Sequence, residues 1–221
     1  MTSLLRLPIR QLLQFYDDPP RKNGANTTAI TAVIGEELGA GLLIDYFHIQ
    51  GWSAVLINKS VTQGTASGTR LDRWIKVVRG NRATYYQVEI KNWAAFAIGG
   101  RRIEVDALAS QLRKHKIERW SREWDGSTFR KPKVLKVLTP MIPPEKGYKV
   151  EPLVCFWDAM HPTGADNALF SLPIKSESFA RVWVFSMSAH LRNLLKSGQN
   201  IVKIDSPNIK ARLDWLDKLI K

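Results

Sequence analysis

The pattern of apolar and polar positions divides the chain into helical and extended stretches. Met1–Tyr16 spaces Leu4, Leu5, Ile9, Leu12, Leu13 and Phe15 as a short amphipathic packing helix. The alternative is an organelle-targeting leader, since the stretch holds Arg6 and Arg10 and no acid before Asp17. Asp17–Gly24, with Pro19, Pro20 and Gly24, predicts a loop. A long helix capped at Asn26 or Thr27 is expected to run to about Ile49 and end at Gly51. Gly35, Gly39 and Gly41 weaken it but permit close packing on a neighbour. Trp52–Asn58 alternates as a strand, and Lys59–Thr69, rich in Ser, Thr and Gly, reads as a loop.

Arg70–Val78 and Thr84–Trp93 are rich in Val, Ile, Tyr and Trp and predict two strands. Between them Gly80-Asn81 suits a two-residue hairpin turn. A second helix is expected over Glu104–Trp124, then strands at Pro132–Leu138, Glu151–Trp157 and Ala180–Phe185. Ser188–Lys196 reads as a short helix stopped by Gly198. Ser206-Pro207 opens a final amphipathic helix with Leu213, Leu216 and Ile220 on one side. This order predicts an α/β (α+β) fold, a central mixed sheet flanked by helices. An N-terminal arm of residues 1–27 is expected to precede a single domain of residues 28–221.

Composition narrows the function. Hydrophobic residues make up 44% and charged residues 24%, the balance of a globular protein, and no apolar run is long enough for a membrane-spanning helix. No membrane partner is expected. The single cysteine, Cys155, excludes an intrachain disulfide and a cysteine-based zinc site and suits a cytoplasmic location. The formal net charge is +13, unevenly spread. Residues 1–60 carry five basic and five acidic side chains, residues 61–140 carry 17 and 7, and residues 141–221 carry 11 and 8. A basic excess concentrated in the middle third points to a polyanionic partner, nucleic acid, over a merely solvated face.

The hairpin also carries the candidate chemistry. With Gly80-Asn81 as the turn, Arg79 faces Arg82, and counting back along both strands sets Asp72 opposite Glu89. Gln87 and Lys91 share the face of Glu89. Two carboxylates so close repel unless a cation intervenes. Lys91, diagonal to Asp72, compensates in part. A hard divalent cation, Mg²⁺ or Mn²⁺, would do so more completely and leave positions for phosphate oxygens. The bland alternative is a solvated charge ladder of Arg70, Asp72, Glu89 and Lys91.

Asp72, sixteen intervening residues and then Glu89-Ile90-Lys91, the chain's only acid-x-lysine triplet, resemble the PD-(D/E)XK signature of restriction-endonuclease-like nucleases. The resemblance covers roughly residues 28–140 and implies a restriction-endonuclease-like core. It implies Asp72 and Glu89 as metal ligands, the Ile90 carbonyl as a further ligand, and Lys91 as the catalytic lysine. It also implies a helical glutamate, for which Glu36 and Glu37 are both candidates with Glu36 preferred, and Gln87 as a further member of the catalytic set. Leu71 stands where the family's proline would be. The activity implied is Mg²⁺-dependent hydrolysis of phosphodiester bonds, preferentially as a DNA endonuclease. A non-catalytic nucleic-acid-binding subunit of a larger complex is the alternative.

Further nucleic-acid contacts are expected from Arg101 and Arg102 in a glycine-led turn, and from Arg113, Lys114, Lys116 and Arg119 on the second helix. Trp93, Trp120 and Trp124 are candidates for base stacking, with core packing preferred. His48, His115, His161 and His190 show no metal spacing, and no glycine-rich phosphate loop occurs. A homodimer or partner protein would suit double-strand cleavage.

Overall fold

The computed structural model of the chain describes residues 4–17, 20–57, 72–91, 136–161, 167–174, 177–205 and 207–220. Its elements are β1 (Leu4–Pro8), α1 (Ile9–Asp17), α2 (Pro20–Ile49), β2 (Ser53–Ile57), β3 (Arg73–Arg79) and β4 (Arg82–Lys91). A 3-10 turn (Lys136–Leu138) follows, then β5 (Lys149–Phe156), β6 (Leu169–Pro173), β7 (Arg181–Ser186), α3 (Met187–Lys196), β8 (Ile201–Asp205) and α4 (Pro207–Ile220). The fold is mixed α/β. Six strands form one sheet in the order β2-β3-β4-β5-β7-β6, and β1 pairs antiparallel with β8 in a second. Strands β4, β5 and β7 run parallel, and the other pairs are antiparallel.

The β3–β4 hairpin forms as its sequence predicts: Gly80 has φ +56°, and Arg79 pairs with Arg82 and Arg73 with Val88. Among the described residues no non-glycine has positive φ, so in this hairpin the left-handed step is made by the first turn residue alone, as a II′ turn requires. At the centre, β4 and β5 are buried on both faces, which accounts for the nearly unbroken apolar run Pro152–Phe156.

Helix α2 crosses one face of the large sheet and also reaches β8. Its glycines set the approach: a Cβ on Gly39 would lie 2.7 Å from Ile90 Cγ2, and one on Gly41 would lie 2.0 Å from Ile204 Cγ2. Leu38, Leu42, Leu43 and Phe47 from α2 join Val88, Ile90, Cys155 and Phe185 of the sheet and Met187, Leu191 and Leu194 of α3 in the larger core. The opposite face gathers Trp74, Tyr85, Val154 and Phe156 under Val137 and Met141.

Several elements differ from expectation. The N-terminal stretch is a strand and then a helix, because Leu4–Pro8 finds a partner in β8. Residues 20–24 belong to α2, not to a loop, since a proline in the first helical turn loses no hydrogen bond. Lys136–Leu138 is a 3-10 turn rather than a strand. Strands β6 and β8 had no counterpart in the expected order. The expected loop 59–69 and helix 104–124 lie outside the described residues.

Candidate active site

The β3 ladder ends at Arg73, and Asp72 lies one residue beyond, at the level of Glu89 in the hairpin register. Its side chain turns onto the β4 backbone, where Oδ2 accepts the Ile90 N–H at 2.7 Å. That amide has passed the last ladder pair, so the carboxylate replaces a strand carbonyl. Glu89, on the adjoining strand, is 2% exposed. Its Oε1 lies 2.7 Å from Lys91 Nζ, and its Oε2 accepts the Val137 N–H at 3.2 Å.

Two acids and one lysine therefore meet at the carboxyl end of β4. Burial pushes the Asp72 carboxyl above its ordinary range, and the Glu89 charge pushes the same way. The Ile90 N–H, Lys91 and Arg73 oppose the rise without cancelling it. The neighbouring Cys155, paired with Ile90, is fully buried; burial and the Asp72 charge raise its thiol well above the usual range. A thiolate nucleophile at this position is disfavoured.

Gln87 is completely buried and bound to backbone. Its Nε2 donates to the carbonyls of Val137 and Thr139, the latter at 3.0 Å, and its Oε1 accepts the Met141 N–H at 3.1 Å. With Glu89 it brackets the 137–141 segment onto β4, which makes it a positioning residue in this arrangement.

Glu36 and Glu37 reach the same end of the sheet from α2 but meet a cation there. Arg73 Nη1 is 3.2 Å from Glu36 Oε2, and its Nη2 bonds Glu37 Oε1. Arg73 Nη1 also donates to the Asp72 carbonyl at 2.6 Å. Glu37, 1% exposed, has Arg212 of α4 at 3.7 Å as well, whereas the Glu36 side chain is 44% exposed. The structure thus brings Asp72, Glu89 and Lys91 together and holds both helical acids on Arg73. Sequence reasoning missed Arg73. The signal was strand alternation: the residue after Asp72 must face the other side of β3, where α2 lies.

The donors that converge are two hard carboxylates flanking Ile90. Among the described residues, no group of three or more His, Cys, Asp and Glu side chains forms a metal cluster. A pair of carboxylates fits a cation that keeps most of its waters, as Mg²⁺ does, rather than a closed all-protein cage. Arg101, Arg102, Arg113, Lys114, Lys116 and Arg119 lie outside the described residues, as do Trp93, Trp120 and Trp124. No family model, curated protein or solved structure matches this chain.

Proposed function

We propose that this chain is a metal-dependent nuclease hydrolysing phosphodiester bonds of nucleic acid, with DNA as the expected substrate and Mg²⁺ or Mn²⁺ as the cofactor. The observation that carries the reading is the convergence of buried Glu89 and half-buried Asp72, with Lys91 Nζ 2.7 Å from Glu89 and the Asp72 carboxyl raised by desolvation and by its neighbour. The succession of α2, the antiparallel β2–β3–β4 and the parallel β5 supports a restriction-endonuclease-like core.

Each residue has a role in this reading. A divalent cation held by Asp72 and Glu89 would supply Lewis-acid polarisation of a phosphoryl oxygen and offset its charge. Lys91, fixed on Glu89, orients the attacking water and stabilises negative charge growing on the phosphorus oxygens. Val137 anchors Glu89, and Gln87 anchors the segment that carries Val137. Asp72 is kept at the strand end by the Ile90 amide.

A non-catalytic nucleic-acid-binding subunit is favoured by one observation, the engagement of Glu36 and Glu37 by Arg73. Cleavage of supercoiled plasmid and of single-stranded circular DNA with Mg²⁺, Mn²⁺ or EDTA separates the readings. The nuclease reading expects metal-dependent cutting that folded Glu89→Ala and Lys91→Ala variants lose. Cutting unchanged in both variants rejects the assignment, and salt-sensitive binding without cutting favours the subunit.

A further inference from the structure

At the carboxyl end of the parallel strands lies a second polar cluster, built on the residues that follow β5 and β7. Lys91 pairs with Phe156 of β5, and Phe156 pairs with Ser186 of β7. Neighbouring strands lie about 4.8 Å apart, so the end of β7 stands about 10 Å from Lys91 across the sheet. Backbone bonds join the three strand ends. Trp157 N–H donates to the Lys91 carbonyl at 3.2 Å, and Ser188 N–H donates to the Trp157 carbonyl at 2.8 Å.

On this frame sits an arginine held by buried groups. Ser188 is completely buried, and its hydroxyl donates to Asp158 Oδ1 at 2.9 Å. Arg192 Nη2 donates to Asp158 Oδ1 at 3.0 Å and to Ser188 Oγ at 2.6 Å. Asp158 is itself buried, yet the Arg192 side chain is 44% exposed. A guanidinium fixed this way keeps its orientation at the surface, which lowers the entropy lost when it meets a pair of phosphate oxygens. Its place agrees with the general position of ligands in open α/β sheets, outside the carboxyl ends of the strands.

We infer that Arg192 is a backbone-phosphate contact, seating a phosphate that flanks the one at Asp72, Glu89 and Lys91. The inference rests on the nuclease reading and adds a substrate-binding position on α3, supported by Asp158 and Ser188. Arg192 contributes charge and a fixed fork, with no base-reading role, so its effect is the same for every sequence.

The test is fluorescence anisotropy of a labelled duplex oligonucleotide with the full-length chain in EDTA, titrated at several salt concentrations. Arg192→Gln is expected to weaken binding about eightfold at 0.1 M salt and to reduce the slope of log affinity against log salt by about 0.9. Arg192→Lys keeps the ion pair with Asp158, so it guards against misfolding; it is expected to keep the slope and lose severalfold in affinity. A merely structural role would lower the melting temperature and leave the slope alone. Wild-type affinity and slope in the folded variants overturn this inference while leaving the nuclease reading standing. A wild-type chain that neither binds nor cuts DNA overturns that reading, and this inference with it.

Discussion

Two carboxylates on the same sheet are shifted in opposite directions. Glu151, near the start of β5, is bonded by Arg181 Nη2 at 3.1 Å, by Arg181 Nε at 3.3 Å, by Trp183 Nε1 at 3.2 Å and by Lys149. Burial alone would raise its carboxyl, but these hydrogen bonds and positive charges bring it below the usual range. Asp72, at the other end, has a single backbone amide and shares one lysine with Glu89, and its carboxyl is raised. The Glu151 carboxyl is held down by the cations bonded to it; the Asp72 carboxyl is raised, first by burial and then by the Glu89 charge, against Lys91 and Arg73. In the proposed function a divalent cation would complete the Asp72 site, whereas Glu151 already has its partners.

The largest effect separating the two is on cleavage. Glu89→Gln preserves an acceptor for Val137 but removes the charge, and should lower the cleavage rate about a thousandfold. Glu151→Gln should leave the rate per folded molecule unchanged. Single-turnover plasmid nicking checks both.

The packing of α2 comes next. Gly41→Ala forces a methyl onto Ile204 and should cost about 1–3 kcal/mol, more than the helix propensity it gains. Gly39→Ala meets Ile90 less severely, yet Ile90 lies between Glu89 and Lys91. It should therefore cost less stability and more activity than Gly41→Ala, as urea unfolding and nicking assays would show.

The smallest effect has opposite signs at the two sites. Folding raises the Asp72 carboxyl above 3.8, so the stability it contributes is present below that pH and lost as pH rises through its folded value. Asp72→Asn retains an acceptor for Ile90 and should stabilise the chain at neutral pH, an advantage that vanishes in acid. Folding lowers the Glu151 carboxyl from 4.5, so its contribution is present above that pH and lost as pH falls through its folded value. Glu151→Gln should destabilise at neutral pH and converge on wild type in acid. Each melting-temperature difference should be roughly 2–4 °C per kcal/mol for a chain of this size.

The hairpin was legible because its information is local. A glycine turn and two runs of strand-forming residues determine the register, and the register alone sets Asp72 beside Glu89. The glycines of α2 were legible as close-packing positions, though not their partners Ile90 and Ile204. Strand β1 was not legible: Leu4–Pro8 fits a helical stripe as well as an extended run, and its partner β8 lies at the far end of the chain. Pro19-Pro20 resembles a helix breaker, whereas the structure uses Pro20 to begin a helix. The 136–138 turn is held by Gln87 and Glu89, side chains nearly fifty residues away, which no local window contains. For the same reason the locking of Glu36 and Glu37 by Arg73, and the Asp158–Ser188–Arg192 cluster, left no motif.

Cation binding at Asp72 and Glu89 is tested most directly by the thermal stability of the chain titrated with Mn²⁺, free of nucleic acid. The account predicts a melting temperature that rises with Mn²⁺ in wild type and in Glu151→Gln, and stays flat in Asp72→Asn and Glu89→Gln. An equal rise in all four, or none in any, would contradict it.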